Sequence, residues 1–164
     1  MQKTAFARQY VMLRPLSGCA GGFIRLELKQ GHMTASVRVT QVADVSLRVL
    51  MLSGDCTTGA VMDLGLMRPC AHRQASLFRE HLPAGYAACH TVVVCSDWPD
   101  AQLLLYGWLT AKPACTLWQL QERIRQYLSV PAKDGILPSP LPSAPTPRAP
   151  ALCMLLPCRC GQNP

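Results

Sequence analysis

The sequence lacks the short motifs by which many catalytic and nucleotide-binding sites are identified. It contains no G-x-S-x-G, no H-E-x-x-H, no G-x-x-x-x-G-K-[ST] and no G-x-G-x-x-G. The Gly-rich stretch SGCAGGF at 17–23 leads into a predicted strand, whereas a phosphate-binding loop opens a helix. These absences favour a non-catalytic protein that holds no cofactor.

Long apolar runs are also missing. The longest clear run, LLLYGWL at 103–109, has seven residues, against the roughly 18 of a membrane-spanning helix. Lys3, Arg8 and Arg14 interrupt the region where a secretion signal carries its apolar segment. Charged residues make up 15% of the chain, and the net charge of +7 includes no block of like charge. We therefore expect a cytoplasmic protein with reduced thiols and no membrane span.

The nine cysteines follow neither a zinc-site pattern nor a disulfide framework. No C-x2-C pair occurs anywhere, and paired ligands of that kind are typical of structural zinc sites. Cys70 and His72, two residues apart, would share a face if they lie in a strand. A Cys/His enzyme or metal site built on these two residues is the least favoured of three functional hypotheses.

Alternating apolar and polar residues predict a series of short strands. GFIRLELK, from Gly22, places Ile24, Leu26 and Leu28 on one face, and MTASVRVT after the turn at Gly31 completes a hairpin. Further strands are predicted at 10–14, 45–52, 61–67, 74–80, 90–95 and 102–109. Seven to eight short strands separated by turn-forming residues indicate a mainly β fold, an antiparallel sandwich or a partly open barrel.

One amphipathic helix is predicted at about 116–129. Thr116 and Gln119 have the spacing of a capping box. The apolar positions that recur at helical spacing are Leu117, Leu120, Ile124, Tyr127 and Leu128. We expect this face to cover an edge or open end of the β domain; the alternative is that it docks a protein partner.

Composition divides the chain near Val130. Nine of the 14 prolines follow that residue, and SPLPSAPTPRAP alternates proline with small residues, as disordered linkers do. We therefore predict a single domain at 1–130 and a flexible, disordered tail at 131–164. Cys153, Cys158 and Cys160 lie in the tail with no histidine beside them, so we assign the tail no specific chemistry.

Three arginines suggest a binding surface. Arg25, Arg38 and Arg48 occupy polar positions of three consecutive predicted strands, so they would form a cationic stripe if those strands were neighbours. Sheets that bind nucleic acids usually add exposed aromatic residues, and these strands contain only Phe23. We therefore favour a non-catalytic module that binds an unidentified protein partner, with nucleic-acid binding through this basic sheet face as the alternative.

The order of strand motifs also resembles a known group of proteins. An opening YVML is followed by G-x-I-R-L-E-L, a Gly turn and V-R-V, then LRVLML, a loop with LGL, and a closing LLLYGW. This order resembles a group of small uncharacterised all-β proteins of anaerobic Gram-positive bacteria, over residues 10–128. The resemblance implies a compact β-sandwich or barrel and carries over no activity and no site residues.

Overall fold

The computed structural model describes residues 7–55, 57–111 and 113–130, so the tail predicted at 131–164 lies outside the described residues. The described part contains nine strands, one 3-10 turn at Ala84–Ala88 and one helix. The strands are β1 (Arg8–Pro15), β2 (Gly21–Lys29), β3 (His32–Thr40), β4 (Leu47–Ser53), β5 (Val61–Leu66), β6 (Arg68–Cys70), β7 (Gln74–Arg79), β8 (Cys89–Ser96) and β9 (Leu103–Trp108), and the helix is α1 (Leu117–Ser129). No helix in these ranges has the length and apolarity needed to cross a membrane.

All nine strands form one antiparallel sheet in the order β5-β4-β8-β9-β1-β2-β3-β7-β6. Its two edge strands, β5 and β6, are consecutive in the chain and separated only by Met67. The chain itself therefore joins the two edges, and the sheet is nearly closed into a barrel. This confirms the predicted mainly β class and its partly open barrel architecture.

Local turn chemistry explains the predicted hairpin, which the structure confirms. β2 and β3 pair from Gly21–Thr40 to Lys29–His32. The two residues between them, Gln30 and Gly31, both have positive φ, as a two-residue turn that matches the twist of the strands requires. The short strand β6 was not predicted, because its three residues are too few to show alternation. Its Pro69 is tolerated there because β6 is an edge strand.

The sheet carries two hydrophobic cores. The interior core contains the inward side chains of the strands, including Ile24, Val37, Val49, Val92 and Leu105. A second core lies on the outside of β4, β8 and β9, where Leu50, Leu52, Val93, Cys95 and Leu103 contact Leu120 and Ile124 of α1. Strands β4 and β8 are therefore buried on both faces, which explains why they are nearly continuous apolar runs in the sequence.

The helix begins as predicted but packs in a different place. Thr116 Oγ1 accepts a hydrogen bond from the Gln119 amide at 3.2 Å, and Gln119 Oε1 accepts one from the Thr116 amide at 2.9 Å, which completes the capping box. The expectation that α1 covers an edge or open end of the sheet is wrong. It covers the outer face of three internal strands, because those strands present apolar side chains that need a second cover.

One buried charge ties α1 to the loop between β4 and β5. The Arg123 side chain is only 5% exposed. Its guanidinium donates hydrogen bonds of 2.8–2.9 Å to the carbonyl oxygens of Ser53, Asp55 and Ala60. A buried arginine is tolerated when its N–H groups find acceptors, so this contact fixes both the helix and the loop.

Truncating a side chain at the centre of the contact between α1 and the sheet should destabilise the fold. We expect Ile124→Ala to lower the free energy of unfolding by about 2–5 kcal/mol, because it leaves a cavity in a fully buried site. Arg125→Ala, at the next and exposed position of α1, should change it by less than about 0.5 kcal/mol. Urea unfolding of the full chain, followed by circular dichroism, measures both. Equal unfolding midpoints for the two variants would contradict the docked helix.

Candidate nucleic-acid interface

One outer surface of the sheet is left uncovered by α1. It belongs to β1, β2, β3, β7 and β6, whose inward residues are buried in the interior core. The alternate residues therefore point outward. The strand register aligns these outward residues in rows across the sheet. We call this surface the open face; its two central rows are Tyr10, Arg25, Ser36 and Phe78, and Met12, Phe23, Arg38, Ser76 and Arg68.

Aromatic rings are exposed on the open face. Tyr10 is 55% and Phe78 is 58% exposed, and Phe23 is half-buried. The Tyr10 and Phe23 ring centroids are 6.2 Å apart with an interplanar angle of 47°. Large apolar side chains left in water in the middle of a sheet indicate an interaction site when they form a group.

Sequence reasoning missed the two most exposed of these rings. It considered the polar faces of β2, β3 and β4, where Phe23 is the only aromatic residue. Tyr10 lies on β1 and Phe78 on β7, and only the pairing of these strands with β2 and β3 places them beside the arginines. Alternation within YVML and SLF predicts that Tyr10 and Phe78 point to the polar side of their strands. It does not predict which strands lie beside them.

The positive charge of the domain is concentrated on the same half of the sheet. The five strands contain seven basic residues and one carboxylate, Glu27, a net charge of +6. The other residues of 1–130 contain six basic and seven acidic residues, a net charge of −1. The basic residues of the five strands are Arg8, Arg14, Arg25, Lys29, Arg38, Arg68 and Arg79. Only Arg79 turns inward, where its Nε donates to the Leu64 carbonyl.

The single carboxylate of these strands is covered by cations. Glu27 is 2% exposed, and its oxygens lie 2.5 Å from Arg8 Nη2, 3.3 Å from Lys29 Nζ and 3.7 Å from Arg25 Nε. Hydrogen bonding from Arg8 lowers the pKa of Glu27. The carboxylate therefore stays ionised beneath its partners, and the surface above it remains cationic.

Two arginines of the predicted stripe lie together in the structure, and the third lies elsewhere in the sheet. Arg25 and Arg38 lie on adjacent strands of the open face. Arg48 lies on β4, which β8, β9 and β1 separate from β2. Its Nη1 is 2.6 Å from Asp63 Oδ2 and its Nε is 3.0 Å from Asp97 Oδ1. The prediction was wrong for Arg48 because β3 and β4, consecutive in the chain, are not neighbours in the sheet.

The helix residues proposed to dock a partner face their own sheet. Leu120 and Ile124 are fully buried, and Leu117 and Leu128 pack against the same second core. Tyr127, at the margin, is 36% exposed. The structure contradicts this apolar face as a free docking surface, because the outer side of β4, β8 and β9 already occupies it.

The proposed Cys/His site is not assembled. Cys70 Sγ contacts the Ser76 hydroxyl at 3.5 Å and the Arg68 carbonyl oxygen at 3.7 Å, while His72 lies in the following turn with a positive φ. Both side chains are exposed. Within the described ranges, no group of three or more His, Cys, Asp and Glu side chains is placed to hold a metal ion.

The thiols buried in the two cores are poor nucleophiles. Burial raises the pKa of Cys89, and it raises the pKa of Cys95 to about 12. Cys19 and Cys70 are exposed free thiols. Cys115, in contrast, is disulfide-bonded, so the expectation of reduced thiols is wrong at this residue.

No family model, no curated protein and no solved structure matches this chain. Function is therefore inferred from the contacts, exposure and charge of the open face.

Thiol reactivity should follow burial. Iodoacetamide at pH 8 should alkylate Cys19 and Cys70 in the native protein and leave Cys95 unmodified until urea is added. The thiolate is the reactive form, and a thiol with a pKa of about 12 is ionised to only about one part in 10,000 at that pH. Peptide mass spectrometry measures the labelling. Alkylation of native Cys95 as fast as that of Cys70 would contradict its burial.

Proposed function

We propose that this protein is a non-catalytic module that binds single-stranded nucleic acid on the open face. One observation carries the proposal: the exposed rings of Tyr10 and Phe78 lie in the same cross-strand row as Arg25, and Arg38 lies in the adjacent row. Sheets that bind single strands stack bases on exposed rings and hold the phosphates with basic side chains. The open face offers both kinds of group side by side.

The shape of the surface favours a single strand over a duplex. Reading a DNA duplex requires an element that enters a groove, usually a helix or a two-stranded ribbon. Helix α1 packs on β4, β8 and β9, so it does not project from the open face. A broad sheet presents rings that stack only with unpaired, splayed bases, and this is the arrangement found here.

The spacing of the rings fits a short stretch of nucleotides. Tyr10 on β1 and Phe78 on β7 are separated by three strand-to-strand steps, or about 14 Å at about 4.8 Å per step. RNA-binding sheets of four strands stack two or three bases across a comparable width. Phe23, between the two outer rings, adds a third aromatic surface.

The two other functional hypotheses lose support from the same observations. The residues assigned to protein docking are largely buried in the second core. Cys70 and His72 do not form a nucleophile and base pair, because Cys70 contacts Arg68 and Ser76 instead. Nucleic-acid binding, the alternative in the sequence analysis, becomes the first choice because the exposed aromatic residues it requires are present.

The arginine contribution is testable through salt dependence. Arg38→Ala should reduce the slope of log affinity against log salt by about 0.7, the value for one lost phosphate contact on a single strand. Arg125→Ala removes an exposed arginine from α1 and should leave the slope unchanged. Fluorescence anisotropy of the full chain with labelled single-stranded DNA and RNA, between about 50 and 200 mM salt, measures both. Absence of binding at low salt, or equal slopes for the variants, would overturn the proposal.

The contribution of the exposed aromatic rings to binding should appear in the affinity and not in its salt dependence. Phe78→Ala should weaken binding about 5- to 150-fold, since stacking contributes about 1–3 kcal/mol per base, without changing the salt slope, since stacking releases no counterions. Trp118→Ala is the matched control, because Trp118 is an aromatic residue of α1 that is 73% exposed. The same titrations measure both variants. Equal affinities would show that exposed rings on the open face do not contact the bases.

A further inference from the structure

A seam between the first and last strands borders the open face. β1 and β9 pair only at Arg14–Tyr106 and Pro15–Leu105, although β1 begins at Arg8. At the other end of the seam, Gln9 Nε2 donates a hydrogen bond of 2.8 Å to the Leu109 carbonyl oxygen. The two strands are therefore joined at both ends, with a stretch between them that has no ladder pairing.

β9 packs closely against β1 at Gly107, inside this seam. A Cβ atom at Gly107 would lie 2.9 Å from Val11 Cγ1 and 3.0 Å from the Met12 carbonyl oxygen, so the packing there leaves no room for a side chain. A groove of about 280 Å³ lies along the unpaired stretch, and its walls include Tyr10, Met12, Arg14, Tyr106 and Trp108.

The walls of the groove match a flat, anionic ligand. The Tyr106 and Trp108 ring centroids are 5.4 Å apart at an interplanar angle of 60°, so one wall is aromatic. Arg14 is exposed at the groove, and no carboxylate among the described residues forms an ion pair with it. The volume is below the roughly 300–1,000 Å³ of pockets for drug-sized ligands, which suits a single ring system.

We propose that the seam between β1 and β9 receives one base of the bound single strand. The base packs against Tyr106 and Trp108, and its phosphate contacts Arg14. Tyr10 and Met12 belong both to the groove and to the open face, so a strand lying across the open face reaches the groove without a gap. This inference depends on the proposed function, and it assigns to β1 and β9 the position where one nucleotide is held most closely.

The fluorescence of Trp108 tests whether a base enters the groove. The chain has three tryptophans, so Trp98→Phe with Trp118→Phe leaves only Trp108. We expect a single-stranded oligonucleotide to quench its emission with the same midpoint as the binding measured by anisotropy. In the matched variant with Trp98→Phe and Trp108→Phe, the remaining Trp118 on α1 should not respond. In the variant that retains only Trp108, the further substitution Arg14→Ala should raise the oligonucleotide concentration at the quenching midpoint several-fold.

The outcomes separate this inference from the proposed function. Oligonucleotide binding by anisotropy without quenching of Trp108 would overturn the groove and leave the open face as the site. Absence of oligonucleotide binding would overturn the proposed function. In that case titration with AMP and UMP decides the groove alone: saturable quenching weakened by Arg14→Ala supports a nucleotide site, and no quenching overturns it.

Discussion

The burial of β4 and β8 on both faces is the constraint on which the rest of the structure depends. Their inward side chains fill the interior core, and their outward side chains, such as Leu50 and Val93, need a second apolar cover. The segment after β9 supplies it as α1, and the buried guanidinium of Arg123 fixes the helix to the β4–β5 loop. Because α1 packs on that half, no helix among the described residues covers the other half of the sheet, and the outward residues there remain exposed.

The distribution of charge follows the same division and is not explained by stability. Like charges on neighbouring strands destabilise a sheet, yet six of the seven basic residues of these five strands share the open face with one carboxylate, Glu27. That carboxylate, beneath Arg8, Arg25 and Lys29, offsets only part of the repulsion. An anionic polymer would offset the remainder, because each phosphate contact neutralises a cation and releases counterions. The exposed rings of Tyr10 and Phe78 are consistent with the same proposal: they lie outside both cores, and bases stacked on them would remove their apolar surface from water.

Much of the fold could be predicted from the sequence because it depends on local patterns. Alternation and short apolar runs located eight of the nine strands, and the capping box of Thr116 and Gln119 located the start of α1. Strand order could not be predicted, because pairing between distant segments leaves no local signal. This single gap explains both errors at the site: Arg48 was included although β4 lies elsewhere in the sheet, and Tyr10 and Phe78 were left out although β1 and β7 flank the arginine strands.

The position of the groove also follows from topology. Inside the sheet, β1, the first strand of the chain, pairs with β9, the last, so no short turn holds these two strands in register. Their ladder is only two residue pairs long, and the Gln9 side chain replaces part of the missing pairing through the Leu109 carbonyl. The junction of β1 and β9 lacks hydrogen bonds that two fully paired strands would make. It leaves a gap beside Tyr106 and Trp108. A base seated in that gap would contact both strands, so binding and closure of the seam would stabilise each other.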